Sequence, residues 1–199
     1  EMQRSLVGSE MCIRDRYLSI TLGKAERLED LINEFFEITR FNIYDITLQY
    51  TKINLTRLLE QLVYEFKPML KSKNLQCNLC VDDDIMLRCD ADKIQRVFDN
   101  LLRNAVIYSF ENTDITISAQ CQEDTVSIIF CNHGDTLPEE KLNRIFEQFY
   151  RLDAARSTSS GGAGLGLAIA KQIVELHNGT IVAESQEDQN KFSITLPLA

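Results

Sequence analysis

The sequence predicts an α+β fold, a two-layer sandwich of a mixed β-sheet with helices packed on one face, preceded by a long dimerisation-type helix. Residues 17–48 contain no proline and one glycine, and their apolar residues recur at three- and four-residue steps, the period of a helical seam. Further on, helical stretches alternate with pairs of short strands, which suits helices covering one face of a mixed sheet. With 199 residues, 44% hydrophobic and 26% charged, the chain can bury one sizeable core with a smaller appendage.

The first seam runs through Leu18, Leu22, Ala25, Leu28, Ile32, Phe35 and Thr39, with Lys24, Glu26, Arg27, Glu29, Asp30, Glu34 and Glu37 on the remaining face. Such a stripe needs a partner helix, so a helical hairpin cut in half, or a dimer, is implied. A second helix follows Asn54, a suitable N-cap, with Leu55, Leu58, Leu59, Leu62, Val63, Phe66, Met69 and Leu70 on one face. Pro68 is expected to bend or shorten its last turn. Strands follow at Leu75–Val81 and Ile85–Cys89, and Asp90 then caps a helix carrying Ile94, Val97, Phe98, Leu101, Leu102 and Ala105. Thr113–Cys121 and Val126–Cys131 form a hairpin across Gln122 to Thr125. Pro138–Gln148 reads as a short helix, and a Ser- and Gly-rich stretch leads into a helix from about Leu165 to Leu176 that stops at Asn178-Gly179. Thr180–Ser185 and Phe192–Leu196 complete the sheet.

A net charge of -9 and a pI near 4.8 argue against a broad grip on nucleic acid or an anionic membrane. A phosphate-bearing ligand would have to be held locally. The six cysteines are irregularly spaced and only two histidines accompany them, so reduced thiols are expected. Cys77-x-x-Cys80 lies in a strand rather than in a redox turn or metal knuckle. No run approaches the ~20 apolar residues that cross a bilayer, and a cytoplasmic chain is expected.

Residues 1–16 show neither helical nor strand period, and Glu10-Met11-Cys12-Ile13-Arg14-Asp15 resembles the translation of a sequencing-library adapter. This segment is set aside as non-native.

Asn100 and Asn104 stand four apart on one helix, displaced from its apolar stripe, so both amides can face a cleft. An amide oxygen is a neutral hard ligand for magnesium, which takes its other ligands from water and phosphate. Four of the eight glycines, Gly161, Gly162, Gly164 and Gly166, fall at the start of a helix, where free N–H groups and the positive helix end favour an anion. No Lys-Ser/Thr follows them, as a Walker loop requires, and no strand leads into them, as a dinucleotide fingerprint requires. Asn132-His133-Gly134-Asp135-Thr136-Leu137-Pro138 ends a strand with a polar amide and a permissive backbone.

In this order the segments resemble the Bergerat-type ATP-binding domain of bacterial sensor histidine kinases. The likeness spans Tyr17 to Ala199: Asp99 to Ala105 resembles the N box, Phe146 to Arg151 the F box, and Gly162 to Ile169 the second glycine box. Residues 17–48, with Arg151 to Thr158, look most like the vancomycin-resistance sensor kinases. The resemblance implies that residues 17–50 are the second helix of a dimerisation and histidine-phosphotransfer domain and 51–199 the ATP-binding catalytic domain. It implies ATP and Mg²⁺ as ligands, with Asn104 and Asn100 holding the metal. Gly162, Gly164, Leu165 and Gly166 would offer N–H groups to the phosphates, Arg151 or Arg156 would add charge, and Tyr108, Asn132 and Gly134 would face the base. The activity implied is transfer of the γ-phosphoryl group to a histidine and then to a response-regulator aspartate, within a homodimer whose longer chain is anchored in the plasma membrane.

Three positions depart from the family pattern. Asn132 replaces the adenine-reading aspartate, Thr136 a glycine of the same box, and Ile107 a common N-box lysine. The phosphate-accepting histidine would lie on a helix preceding Tyr17. His133 and His177 are poor substitutes, since one sits in the turn beside the base and the other ends a helix. The related ATPases need a carboxylate where Asn100 stands. A nucleotide-binding or dimerising module without catalysis is the alternative.

Overall fold

The computed structural model describes residues 16–25, 28–29, 31–33, 36, 39, 47–81, 84–151 and 164–198. The chain falls into two compact units, Glu1–Ile43 and Tyr44–Ala199. In the first, residues 16–25 are helical, as are the described positions between 28 and 39, and this helix is α1. Its Leu18, Leu22, Leu28 and Ile32 are exposed, an open apolar stripe; Phe35 of the expected seam lies outside the described residues.

The second unit begins with β1 (Thr51–Asn54), which pairs antiparallel with β3 (Met86–Cys89) in a separate two-stranded ribbon. Sequence reasoning missed β1 and put β3 in the main sheet. Four residues are too few to show a period of two, and the ribbon pairs segments more than thirty residues apart in sequence, which no local pattern reveals. Asn54 then caps α2 (Leu55–Ser72), its side chain accepting the Arg57 N–H at 2.9 Å. Leu55, Leu59, Leu62, Phe66 and Leu70 form the buried face. α2 runs four residues past Pro68, so the proline does not end the helix. Pro68 is exposed, so water can satisfy the carbonyl that its missing N–H would have bonded.

The central sheet is ordered β2-β4-β5-β7-β6, built from Gln76–Val81, Asp114–Gln122, Thr125–His133, Gln189–Pro197 and Thr180–Gln186 in that order. Only β2 and β4 pair in parallel, so the sheet is mixed, as expected. Alternation sends Ile115, Ile117 and Ala119 of β4, Val126, Ile128 and Phe130 of β5, and Phe192, Ile194 and Leu196 of β7 to the buried face. Helix α3 (Ala91–Tyr108) covers that face with Ile94, Val97, Phe98, Leu101, Leu102, Ala105 and Val106. The Phe98 and Phe130 rings lie 5.8 Å apart. Helix α5 (Gly166–Leu176) adds Ile169, Ala170, Ile173 and Val174. The opposite sheet face carries Thr116, Ser118, Ser127, Ser193 and Thr195, so among the described residues α3 and α5 lie on the apolar side.

Asp90 ties this unit together. It caps α3 by accepting the Lys93 N–H, and it accepts the Gln49 N–H at 3.0 Å. Its own N–H donates to His177 Nε2 at 3.0 Å, while His177 Nδ1 meets the Ile173 carbonyl at 2.8 Å. The buried His177 is therefore a neutral Nδ1–H imidazole bridging the end of α5 to the start of α3. At the other end of α3, Lys73 Nζ donates to the Ile107 and Ser109 carbonyls. Desolvation lowers the pKa of this amine, partly offset by Glu111.

The short helix α4 (Glu139–Leu142) stops well before Gln148, and residues 143–149 form turns ending with Phe149 at φ 63°. Cys77, Cys80, Cys89, Cys121 and Cys131 are free. Cys77 and Cys80 fall on opposite faces of β2. Among the described residues, no three His, Cys, Asp or Glu side chains gather as a metal site, and no helix is long and apolar enough to cross a membrane.

Candidate functional site

Helix α3 is the spine of the site, carrying Asn100, Asn104 and Tyr108 at successive four-residue steps. From Asn100 to Tyr108 the axis rises about 12 Å. Asn100 and Asn104 are half-buried, and Asn100 Nδ2 is buried without a hydrogen-bond partner. An orphaned amide of this kind normally marks a missing ligand, ion or water.

The start of α5 lies directly against Asn100. A Cβ at Gly166 would stand 3.2 Å from Asn100 Oδ1 and 3.4 Å from its Cγ. Glycine therefore brings the backbone of α5 close to the amide. Leu165, buried at the N-cap, offers no side-chain cap, and the first bond of the helix is Ile169 N–H to Leu165 O at 2.9 Å. The N–H groups of Gly166, Leu167 and Ala168 thus have no intrahelical acceptor, and they sit at the positive end of the helix dipole.

Gly164 joins α5 to the turn at Phe149–Arg151. Its φ of +78° favours glycine, and an added Cβ would meet the Tyr150 carbonyl at 2.7 Å and Arg151 Cγ at 3.1 Å. Phe149 N–H donates to the Gly164 carbonyl at 3.0 Å. Arg151 is thereby held beside Gly164. Gly162 and Arg156 lie outside the described residues.

At the other end of α3, the turn after β5 packs against the helix terminus. Phe110 N–H donates to the His133 carbonyl at 2.8 Å. A Cβ on Gly134 would collide with the Tyr108 carbonyl and stand 3.3 Å from Asn132 Nδ2. Asn132 is 2% exposed and its Nδ2 has no partner. The Tyr108 side chain is 44% exposed, free to lie beside a ligand. Thr136, which stands where the family pattern has glycine, accepts the Asp188 N–H at 2.8 Å and donates to Asp188 Oδ1 at 3.1 Å. This departure ties the turn to the β6–β7 connection instead of opening it.

Sequence reasoning missed Asn190. It is 6% exposed, lies opposite Asn132 across β5 and β7, and its Oδ1 is unpartnered. The signal was its phase, since residues 190, 192, 194 and 196 share the inward face and only the first is polar. Asp99, next to Asn100, has its pKa raised by desolvation and then by Glu65 of α2, opposed by Arg103 and Arg96; its electrostatics belong to the contact with α2.

Residues 89–199 match the family of histidine kinase-, DNA gyrase B-, and HSP90-like ATPases. The sensor protein VanSC of Enterococcus gallinarum is 46% identical over 185 residues, 93% of this chain and 51% of that protein. The sensor protein VanS of Enterococcus faecium is 50% identical over 182 residues, 92% of this chain and 47% of that protein. The chain thus spans about half the length of these relatives. The solved catalytic domain of histidine kinase ThkA shares 28% identity at a TM-score of 0.69, over 76% of this chain and 97% of that one. ThkA in complex with the response regulator protein TrrA shares 26% identity at a TM-score of 0.75, over 92% of this chain and 51% of that one. By the match over residues 89–199, together with the convergence of α3, the β5 turn and the glycine-led start of α5, the chain belongs to the histidine kinase-, DNA gyrase B-, and HSP90-like ATPase family.

Proposed function

We propose that this chain is the ATP- and Mg²⁺-binding catalytic module of a two-component sensor histidine kinase. It transfers the γ-phosphoryl group of ATP to a histidine outside these 199 residues, from which the group passes to a response-regulator aspartate. The observation that carries the reading is the contact of Gly166 with Asn100, which sets the uncapped N–H groups at the start of α5 beside the Asn100 amide.

The residues fit the ligands. Asn100 and Asn104 present neutral hard oxygens without a carboxylate cluster, which suits a cation that takes its remaining ligands from phosphate and water. Bound there, Mg²⁺ would neutralise charge on the phosphates. The N–H groups of Gly166 and its neighbours cradle phosphate oxygens, and Arg151 adds a cation beside Gly164 and Leu165; the family resemblance gives Gly162 and Arg156 the same task. The about 12 Å along α3 from Asn100 to Tyr108 is comparable with the reach of a nucleoside triphosphate. Tyr108 lines the base, and Asn132 with Gly134 receives its edge.

The relatives' names support the remaining assignments. VanS and VanSC are sensor proteins, and ThkA has been solved with a response regulator. The open stripe Leu18, Leu22, Leu28 and Ile32 suits pairing within a homodimer through a helical hairpin, with the longer chain anchored in the plasma membrane. A hydrolytic ATPase fits less well, because the Asn100 amide cannot take a proton from water.

The test is transfer. The chain is mixed with a separately produced acceptor-helix hairpin and γ-labelled ATP, with and without Mg²⁺. Label on the hairpin that is stable to base, labile to acid and dependent on Mg²⁺ is expected. Nucleotide binding without transfer would favour a non-catalytic module.

A further inference from the structure

Helix α3 ends on Tyr108 and carries no basic residue in its own last turn. The carbonyls of that turn find no helical N–H and form the negative end of the helix dipole. The missing cation comes from the end of α2. Lys73 Nζ donates to the Ile107 carbonyl and, at 3.3 Å, to the Ser109 carbonyl, so one ammonium grips the backbone on both sides of Tyr108. Two further contacts hold the same stretch to the turn after β5. Phe110 N–H donates to the His133 carbonyl at 2.8 Å, and a Cβ on Gly134 would collide with the Tyr108 carbonyl. The corner itself is fastened without the ammonium: the Lys73 carbonyl accepts the Asn112 N–H at 3.3 Å, and Asn74 Nδ2 donates to Asn112 Oδ1 at 2.6 Å. What the Lys73 side chain adds is the placing of Tyr108.

We propose that Lys73 is a positioning residue for the nucleotide base: by binding the carbonyls on either side of Tyr108, it fixes the Tyr108 ring and the packing of Gly134 at the base end of the site. This rests on the reading of α3 as one wall of a nucleotide site. The ammonium is bound at Ile107, seven residues and about 10 Å along the helix axis from Asn100, so its effect belongs to the base and not to the phosphates. Tyr108 is 44% exposed, so its own packing does little to hold the ring. Its backbone must therefore be held from behind, and a small displacement there moves the ring relative to the base. Site residues keep their geometry only when supporting bonds fix them in this way.

The test uses the whole chain with the fluorescent analogue trinitrophenyl-ATP as probe, displaced by ATP or by tripolyphosphate, each with Mg²⁺. Lys73→Met keeps most of the side-chain length and removes the donor. It is expected to weaken ATP at least about fivefold while changing tripolyphosphate by less than about twofold. Combined with Tyr108→Leu it should add less than about twofold to the loss that Tyr108→Leu causes alone, because both act on one wall. A merely structural role would move the thermal midpoint and leave the ratio of ATP to tripolyphosphate as it is. Circular dichroism checks folding, and if Lys73→Met does not fold, the shorter uncharged Lys73→Gln takes its place with the same expected split. Three results overturn the proposal and leave the ATP site standing: ATP bound as by the wild type although Tyr108→Leu weakens it, equal losses for ATP and tripolyphosphate, or additive losses in the double variant. If Tyr108→Leu changes nothing, the base wall falls with the proposal. If the probe does not bind at all, the nucleotide site falls too.

Discussion

Gly166 and Gly164 do different work, and substitution separates them. Alanine at 166 puts a methyl group 3.2 Å from Asn100 Oδ1 but gains about 1 kcal/mol of intrinsic helix propensity. Gly166→Ala is therefore expected to unfold in urea within about 1 kcal/mol of the wild type while binding the fluorescent nucleotide at least about tenfold more weakly. At 164 the backbone itself is left-handed and the Tyr150 carbonyl is 2.7 Å from the added carbon. Gly164→Ala should cost about 1–3 kcal/mol in a urea titration, because strain and clash act together. That Asn100 and Asn104 share one helix and that Gly166 opens another was legible in the sequence, because helical spacing and helix-start chemistry are local. Asn190 escaped because its meaning depends on which strand lies opposite, and a single polar residue in a strand carries no such label. The contact of Gly166 with Asn100 was likewise invisible, since it joins residues 66 positions apart.

Among the elements, the long helices were legible and the short pieces were not. α2 and α3 declare themselves by apolar spacing over 18 residues each, whereas β1 has four residues and α4 keeps only one turn. Phe149 at φ 63° ends the turns after α4 in a conformation that no aromatic residue announces. The caps allow a graded prediction. Asn54 supplies one N–H acceptor to α2, so Asn54→Ala should lower stability by about 1 kcal/mol. Asp90 caps α3 and also accepts the Gln49 N–H, so Asp90→Ala should cost about 2 kcal/mol or more. Urea midpoints at matched slopes would rank them, and equal losses would mean that the Gln49 bond contributes nothing. His177→Ala removes the bond that joins the end of α5 to Asp90 at the start of α3, together with the ring's bond to the Ile173 carbonyl within α5, and leaves the buried Asp90 N–H unpaired. A loss of about 2–4 kcal/mol is expected.

For the molecule as a whole, a mixed sheet covered on one side follows from the alternation of paired strands with helices, but the strand order does not. β7 between β5 and β6, and β3 outside the main sheet, are non-local pairings chosen by packing. The thiols report on the integrity of that packing. Desolvation raises Cys77 from the ordinary 9.0 to about 11, and desolvation with Asp90 raises Cys89 to about 12. At pH 8 to 9, alkylation should mark Cys80 and Cys121, which are exposed, well before Cys77 and Cys89, and urea should abolish the difference. The sign with pH follows: between 9 and 12 the unfolded chain loses thiol protons that the folded chain retains, so stability should fall as pH rises through that window. Mass spectrometry of native and unfolded samples checks the labelling, and urea midpoints at pH 8 and 10 check the slope.

The central claim, that α3 and the start of α5 hold a Mg²⁺-nucleotide complex, is tested most directly by titrating trinitrophenyl-ATP into the wild type and Asn104→Ala, each with Mg²⁺ and with EDTA. Saturable binding that requires Mg²⁺, and that Asn104→Ala weakens at least about tenfold without changing the thermal midpoint by more than a few degrees, is expected. Equal binding in EDTA, or an Asn104→Ala protein that binds as the wild type does, would contradict it.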